Sequence, residues 1–238
     1  MMRLLGVELR RFGARRAVRW CALATVLYAL VVGLVVASRP EDFAGAADVV
    51  RAHAPVLLVF AFAAGVTLVT AETGTGALGL WLTVEPRRGR VLASRLAAAA
   101  LGAMVVLAVA YAVLAGGAYL VRRVVGGLGA IGTYVWVGLF QTGLALLLAG
   151  VLAALAGVAL GVLLQRVTAV IGAVVAWFVV VEVGLVELVS SELWRWTFSA
   201  KLPSLVIEGD VNAAAFLLGA AVVLVLVAGV VLRRRDVV

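Results

Sequence analysis

Apolar residues in this chain run in long unbroken blocks, separated by short groups of charged positions, with no alternation of polar and apolar sites. Six blocks stand out: Trp20 to Ser38, Val56 to Ala71, Leu96 to Val121, Tyr134 to Leu164, Val167 to Val181 and Val211 to Leu232. A helix rising about 1.5 Å per residue needs about 20 residues to cross a hydrocarbon core of about 30 Å. The second and fifth blocks hold 16 and 15 residues, so each must borrow flanking positions such as Pro55 or Glu182. The fourth, at 31 residues, exceeds one upright crossing. Its surplus is expected along the outer interface or in a tight reversal near Gln165 and Arg166. Backbone inside lipid must satisfy its own hydrogen bonds, and blocks without strand-like alternation do so as helices. The expectation is an all-α, polytopic membrane protein with six transmembrane helices in one transmembrane domain spanning residues 1–238.

Ahead of the first block, residues 1–19 predict an amphipathic interfacial helix. Met2, Leu5, Leu9 and Phe12 share one face, Arg3 and Arg10 point roughly opposite, and Arg11 and Arg15 flank them. Such a helix is either a basic anchor or an elbow that also touches a cytoplasmic partner. An arginine-rich start before an apolar stretch also fits a cleavable signal peptide. Removing it would leave five spans and break the charge bias described next, so an uncleaved first helix is expected.

Composition sharpens the class. The chain is 66% hydrophobic and 13% charged, with a mean hydropathy of +1.21, outside the soluble globular range. Its net charge of +8 is unevenly spread. Of the 20 basic residues, 14 fall in alternate segments: the N-terminal region, Arg87 to Arg95, Arg166, and Arg233 to Arg235. The other three connections hold six. Positive residues accumulate on the cytoplasmic side, which places both termini and the central loop there. Anionic lipid head groups account for the net charge, and with no soluble domain to bear it, nucleic-acid binding is not expected. Cys21, the single cysteine, permits no intrachain disulfide.

The outer connections differ in character. Residues 39–54 read as a short acidic loop with Glu41, Asp42 and Asp48, and Pro55 suits the first turn of the second span. Arg122 to Thr133 reads as a glycine-rich connection. Residues 187–210 carry Trp194, Trp196, Phe198 and Pro203 with six charges, a composition that suggests short helices dipping into the outer interface. The tryptophans are either interfacial anchors or part of an external gate. Glu182, about one turn from that interface, either snorkels to water or lines a substrate path. Gly150, Ala154, Gly157 and Gly161 line one face of the fourth block, which serves packing within the protomer or a dimer seam.

Catalytic motifs are missing. Gly74, Gly76 and Gly79 match GxGxxG literally, but a membrane helix precedes them and Arg95 begins the next, so the dinucleotide fingerprint lacks its strand and its acidic residue. A P-loop needs a lysine after its glycines, and Lys201 is the only lysine. His53 alone cannot supply HExxH, and no serine sits in GxSxG. No enzyme, metal site or catalytic residue is expected. Nor do the two halves repeat one another, as an ion-coupled carrier built on inverted repeats often would.

The longest charged stretch between two apolar blocks is residues 72–95. Glu72 to Thr83 permit a short amphipathic helix exposing Leu78, Trp81 and Leu82. Pro86 then ends it, and Arg87, Arg88 and Arg90 make a basic turn. Physics alone fits a knob for a partner's groove or a helix lying flat on lipid. The run Glu72, Gly76, Trp81, Leu82, Thr83, Glu85, Pro86, Arg87, Arg88, Val91, Ser94 and Arg95 resembles the corresponding loop of bacterial ATP-binding-cassette transporter permeases of the type-2 exporter class. The six blocks, amphipathic elbow and long last outer segment match as well, so the resemblance covers nearly the whole chain. It implies a permease subunit in the bacterial cytoplasmic membrane, paired with a second copy or a relative and with two separate ATPase subunits. Those partners would bind the ATP and magnesium; this chain would hold no cofactor. Carried over, Glu72, Gly76, Trp81, Pro86, Arg87, Arg88 and Arg90 become coupling positions that the ATPase pushes. Relatives often have lysine where Arg95 stands. A non-transporting scaffold or immunity-type protein is the alternative, with an ion-coupled carrier behind it.

Overall fold

A computed structural model of the chain describes residues 2–37, 46–73, 88–126, 133–183 and 195–234. Within them every regular element is helical: α1 (Met2–Ala14), α2 (Arg16–Ala37), α3 (Ala46–Thr73), α4 (Arg88–Gly126), α5 (Thr133–Leu164), α6 (Val167–Ala176) continued by a π-helical segment (Trp177–Val183), α7 (Phe198–Glu208) and α8 (Val211–Arg234). Among the described residues five helices, α2, α3, α4, α5 and α8, are long and apolar enough to cross a membrane, which makes this a multi-pass membrane protein.

Five of the six expected crossings are therefore present as long helices among the described residues, and the remaining block is a shorter element. The fifth block forms ten residues of α-helix and seven of π-helix, and it falls below the length of a full crossing.

Several boundaries also move, for one reason. α3 begins at Ala46, so Pro55 lies well inside the helix and not in its first turn, and residues 46–54 are helix and not loop. Asp48 in the first turn suits the positive helix terminus, and Arg51 reaches back to it at 3.1 Å. Arg88 and Arg90 likewise belong to the first turn of α4, not to a basic turn before it, and α4 runs on through Arg122 and Arg123 to Gly126. A helix continues past the edge of the apolar region as long as its own hydrogen bonds continue. Hydropathy locates the lipid-compatible portion of a helix and leaves its ends undetermined.

The 32 residues of α5 form one helix about 48 Å long. It reverses at Gln165, whose φ of 59° is left-handed, and Arg166 N–H donates to the Leu164 carbonyl at 2.8 Å. The tight reversal expected at Gln165 and Arg166 is present.

At the centre of the bundle α3 lies against α5, and α2, α4 and α8 pack around that pair. The apolar windows of α3 and α5 are each 56% buried, against 22–28% for the other three, which puts the pair at the core. The outward faces of α2, α5 and α8 expose Val31, Phe140 and Val211, among others, as a surface facing lipid would. Small residues set the core spacing. A Cβ on Gly65 would collide with the carbonyl of Ala154, and one on Gly157 with the carbonyl of Phe62. A Cβ on Gly161 would sit 3.3 Å from the Val66 carbonyl, and one on Gly150 would meet Leu107 of α4. Without a hydrophobic drive between helices in lipid, this close backbone approach supplies the van der Waals contact that holds them together.

Gly157→Ala is expected to destabilise the bundle by about 1–3 kcal/mol, because the obstacle is backbone and the two helices must separate. Gly172→Ala, at an open position on α6, is expected to be near neutral. Unfolding of the detergent-solubilised protein by increasing dodecyl sulfate measures both.

Candidate functional site

Charged and polar side chains collect at the two ends of the bundle. One end gathers the N-termini of α2 and α4 and the C-termini of α3, α5 and α8, together with α1. Arginines hold these termini to one another. Arg15, at the joint between α1 and α2, donates to the carbonyl of Leu68 and, at 3.3 Å, to that of Thr67 near the C-terminus of α3. Arg88, the first residue of α4, donates to the carbonyls of Leu232 and Arg233 at 3.0 and 3.2 Å. Leu232 and Arg233 are among the last carbonyls of α8, which lack intrahelical donors and carry its negative pole, so the Arg88 guanidinium satisfies both needs at once. Arg15 instead shares carbonyls more than a turn inside the end of α3.

The third clasp is ionic. Arg95, about two turns farther into α4, is 2% exposed, and its Nε lies 4.0 Å from Oε1 of Glu8 on α1. Glu8 is itself buried and also has Arg11 at 4.0 Å. Beside this pair Phe12 packs onto α4 so closely that a Cβ on Gly102 would overlap its ring. α1 therefore lies on α4 through an aromatic contact and a buried charge pair. Its inward face includes Glu8 as well as the expected Phe12. Below it an apolar crevice runs between α1, α2, α3 and α4, lined by Phe12, Cys21, Thr25, Phe60 and Leu107 among others.

These clasps flank the stretch that the sequence reading singled out. Gly76, Trp81, Pro86 and Arg87 lie outside the described residues, within 74–87. Glu72 falls in the last turn of α3. Arg88 turns inward to α8, whereas Arg90 is exposed. Glu8 and Arg15 went unrecognised as partners of α4 and α3. One signal was available for Glu8: it sits three residues after Leu5 and four before Phe12, on the apolar face, where a lone acid needs a cation.

At the opposite end the links are shorter in reach. Arg51 Nε donates to Thr142 Oγ1 at 3.2 Å, joining α3 to α5, and Tyr111 donates to the Leu139 carbonyl at 2.7 Å, joining α4 to α5. Tyr28 Oη and His53 Nδ1 share a hydrogen bond of 2.7 Å between α2 and α3. Glu182 is 3% exposed and accepts from Trp177 Nε1 at 3.2 Å and from the Phe198 N–H at 2.8 Å. Its carboxylate thus faces the N-terminus of α7, where the helix dipole is positive. α7 is also capped at both ends: Thr197 Oγ1 accepts from the Ala200 N–H at 3.2 Å, and Gly209, with φ of 68°, closes it. A short helix is therefore present within 187–210, where short helices were expected. Glu182 and the α4 arginines occupy different ends of the bundle and form no common site.

No protein-family model and no curated protein matches this chain. The geometry defines the class as a multi-pass helical membrane protein whose basic end is a set of interhelical clasps.

Arg95→Met is expected to cost about 3 kcal/mol, because the buried carboxylate of Glu8 then loses the more deeply buried of its two arginines. The pair of changes Glu8→Leu and Arg95→Met is expected to recover most of that loss, since both charges leave together. Unfolding midpoints of the single and double variants in detergent check it, and additive losses count against a buried pair.

Proposed function

We propose that this chain is the membrane-spanning permease subunit of an ATP-binding-cassette exporter in the cytoplasmic membrane of a bacterium. The fifth block completes a sixth crossing in lipid, and both termini and residues 74–87 face the cytoplasm. A second copy or a relative completes the pathway, and two separate ATPase subunits bind ATP and magnesium and push on residues 74–87.

The observation that carries this reading is the anchoring on both sides of that stretch. Arg88 ties the start of α4 to the end of α8, Arg95 ties it to α1 through Glu8, and Arg15 ties α2 to the end of α3. A force applied between Thr73 and Arg88 enters α3 and α4 directly and passes to α1, α2 and α8 through those clasps. A loop with unanchored flanks would absorb the same force in its own backbone. Switching between inward and outward access requires packed helices to move as units, which is the kind of motion that such clasps transmit. The basic end agrees with a cytoplasmic placement, because arginine accumulates on that side. Two further points support the reading: the resemblance of residues 72–95 to exporter permeases, and a sequence with no nucleotide-binding motif of its own.

Arg88 has a second duty on this view, since it holds α8, so its substitution loosens the bundle as well as any partner contact. Trp81→Ala and Arg87→Ala are the cleaner variants. Each is expected to lower ATP-driven transport by about tenfold or more, the effect of losing a central interface residue. The unfolding midpoint and the ATPase activity of the co-purified complex are expected to remain. Unchanged transport in both variants, or labelling of a cysteine at position 81 from the outer side, overturns the proposal.

A further inference from the structure

The carboxylate of Glu182 belongs to a segment with an exposed apolar face. Along the π-helical segment Trp177, Phe178, Val179 and Val180 are all exposed, at 38–67%, while Glu182 is buried at 3%. Those four side chains therefore add little apolar packing against the bundle. Its polar attachment is specific: Glu182 accepts from the backbone of α7 at Phe198 and from Trp177 of its own turn. The π geometry matters here. Residues five apart come onto one face in a π turn, as they do not in an α-helix, so Trp177 and Glu182 meet. Trp177 also stands edge-on to Phe198, with ring centroids 6.0 Å apart, and Phe198 lies 5.5 Å from Phe216 of α8. The α7 side of this seam is firm by comparison. Leu205 and Val206 are buried, and α7 is closed by a cap at each end.

We infer that Glu182 is a latch: it fixes the outer end of the short α6–π element to the N-terminus of α7, and its release lets that element swing away from the bundle. Among the described contacts, this seam is joined by the Glu182 carboxylate and by the Trp177–Phe198 aromatic edge. The charge suits the task. Glu182 is held by the Phe198 N–H at the start of α7 and by an indole, while Lys201 of α7 is directed to Asp210 at 3.9 Å and over the Trp196 ring at 5.3 Å. A latch made of hydrogen bonds breaks at a defined geometry, whereas a packed apolar seam yields gradually. This inference rests on the transport reading only for what the opening would serve.

Hydrogen exchange of the reconstituted protein, followed on peptides covering 177–183 and 198–201, tests the latch against a simple cap. Glu182→Ala is expected to raise exchange in both peptides by about tenfold or more, the loss of a charge-assisted hydrogen bond, with the α3 and α5 peptides unchanged. Glu182→Gln, which keeps an acceptor oxygen, is expected to restore most of the protection. Thr197→Ala, which removes the α7 cap alone, is expected to raise exchange in 198–201 only. If Glu182→Ala leaves exchange unchanged, or raises it in 198–201 alone, the carboxylate is no latch and the inference fails. Such a failure leaves the transport reading standing. Two-peptide opening in a chain that co-purifies with no ATPase defeats the transport reading and leaves the latch.

Discussion

The approach of α3 to α5 through glycine sets the geometry of everything else. Gly65 meets the Ala154 carbonyl and Gly157 meets the Phe62 carbonyl, so each helix offers the other a notch at backbone level. In a bilayer the surrounding tails are as apolar as leucine, and two leucine-lined helices gain little by meeting. Contact at backbone distance gains dispersion that lipid chains cannot match. Gly161, one turn farther, continues the notch toward Val66 and Val69. Once this pair is placed, α2, α4 and α8 have a ridge to pack against, and their remaining faces stay outward.

The polar chemistry follows from how that pair aligns the helix ends. Ends brought level set carbonyls of α3 and α8 at one side of the bundle, with Arg15 at the α1–α2 joint and Arg88 of α4 within reach of them. Arg15 and Arg88 take up carbonyls of α3 and α8, and Arg95 takes the single acid of α1. At the other side, the first N–H of α7, that of Phe198, is taken by an acid, Glu182. Cations at C-termini and an anion at an N-terminus are what the helix dipole favours. The same side chains that orient a membrane protein by their charge therefore also lock its helices to one another.

Legibility from sequence was high for the existence of the helices and low for their ends. Apolar blocks mark where lipid is tolerated. Helices such as α3 and α4 continue into charged sequence at Asp48, Arg51, Arg88 and Arg122, because an exposed turn outside the lipid costs little. The block from Val167 to Val181 was legible as apolar and too short, but its passage from α- to π-helix depends on where Glu182 finds its donors. The candidate site was legible as a basic stretch around Arg87 to Arg95. The division of labour within it was not. Arg88 and Arg95 turn inward while Arg90 is exposed, a choice made by helix phase and by which neighbour offers a carbonyl or a carboxylate.

By itself the sequence determined that the chain must be helical and live in a membrane, since blocks of this length and apolarity satisfy their backbone in lipid no other way. It also determined that its charge is lopsided along the chain, because that is counted directly. Only the tertiary structure decided which small residues touch backbone, which arginines are clasps and which acid holds α7. Those outcomes depend on pairs of residues far apart in sequence, such as Glu8 with Arg95 or Arg88 with Leu232. A local pattern carries no information about which helix will lie beside which.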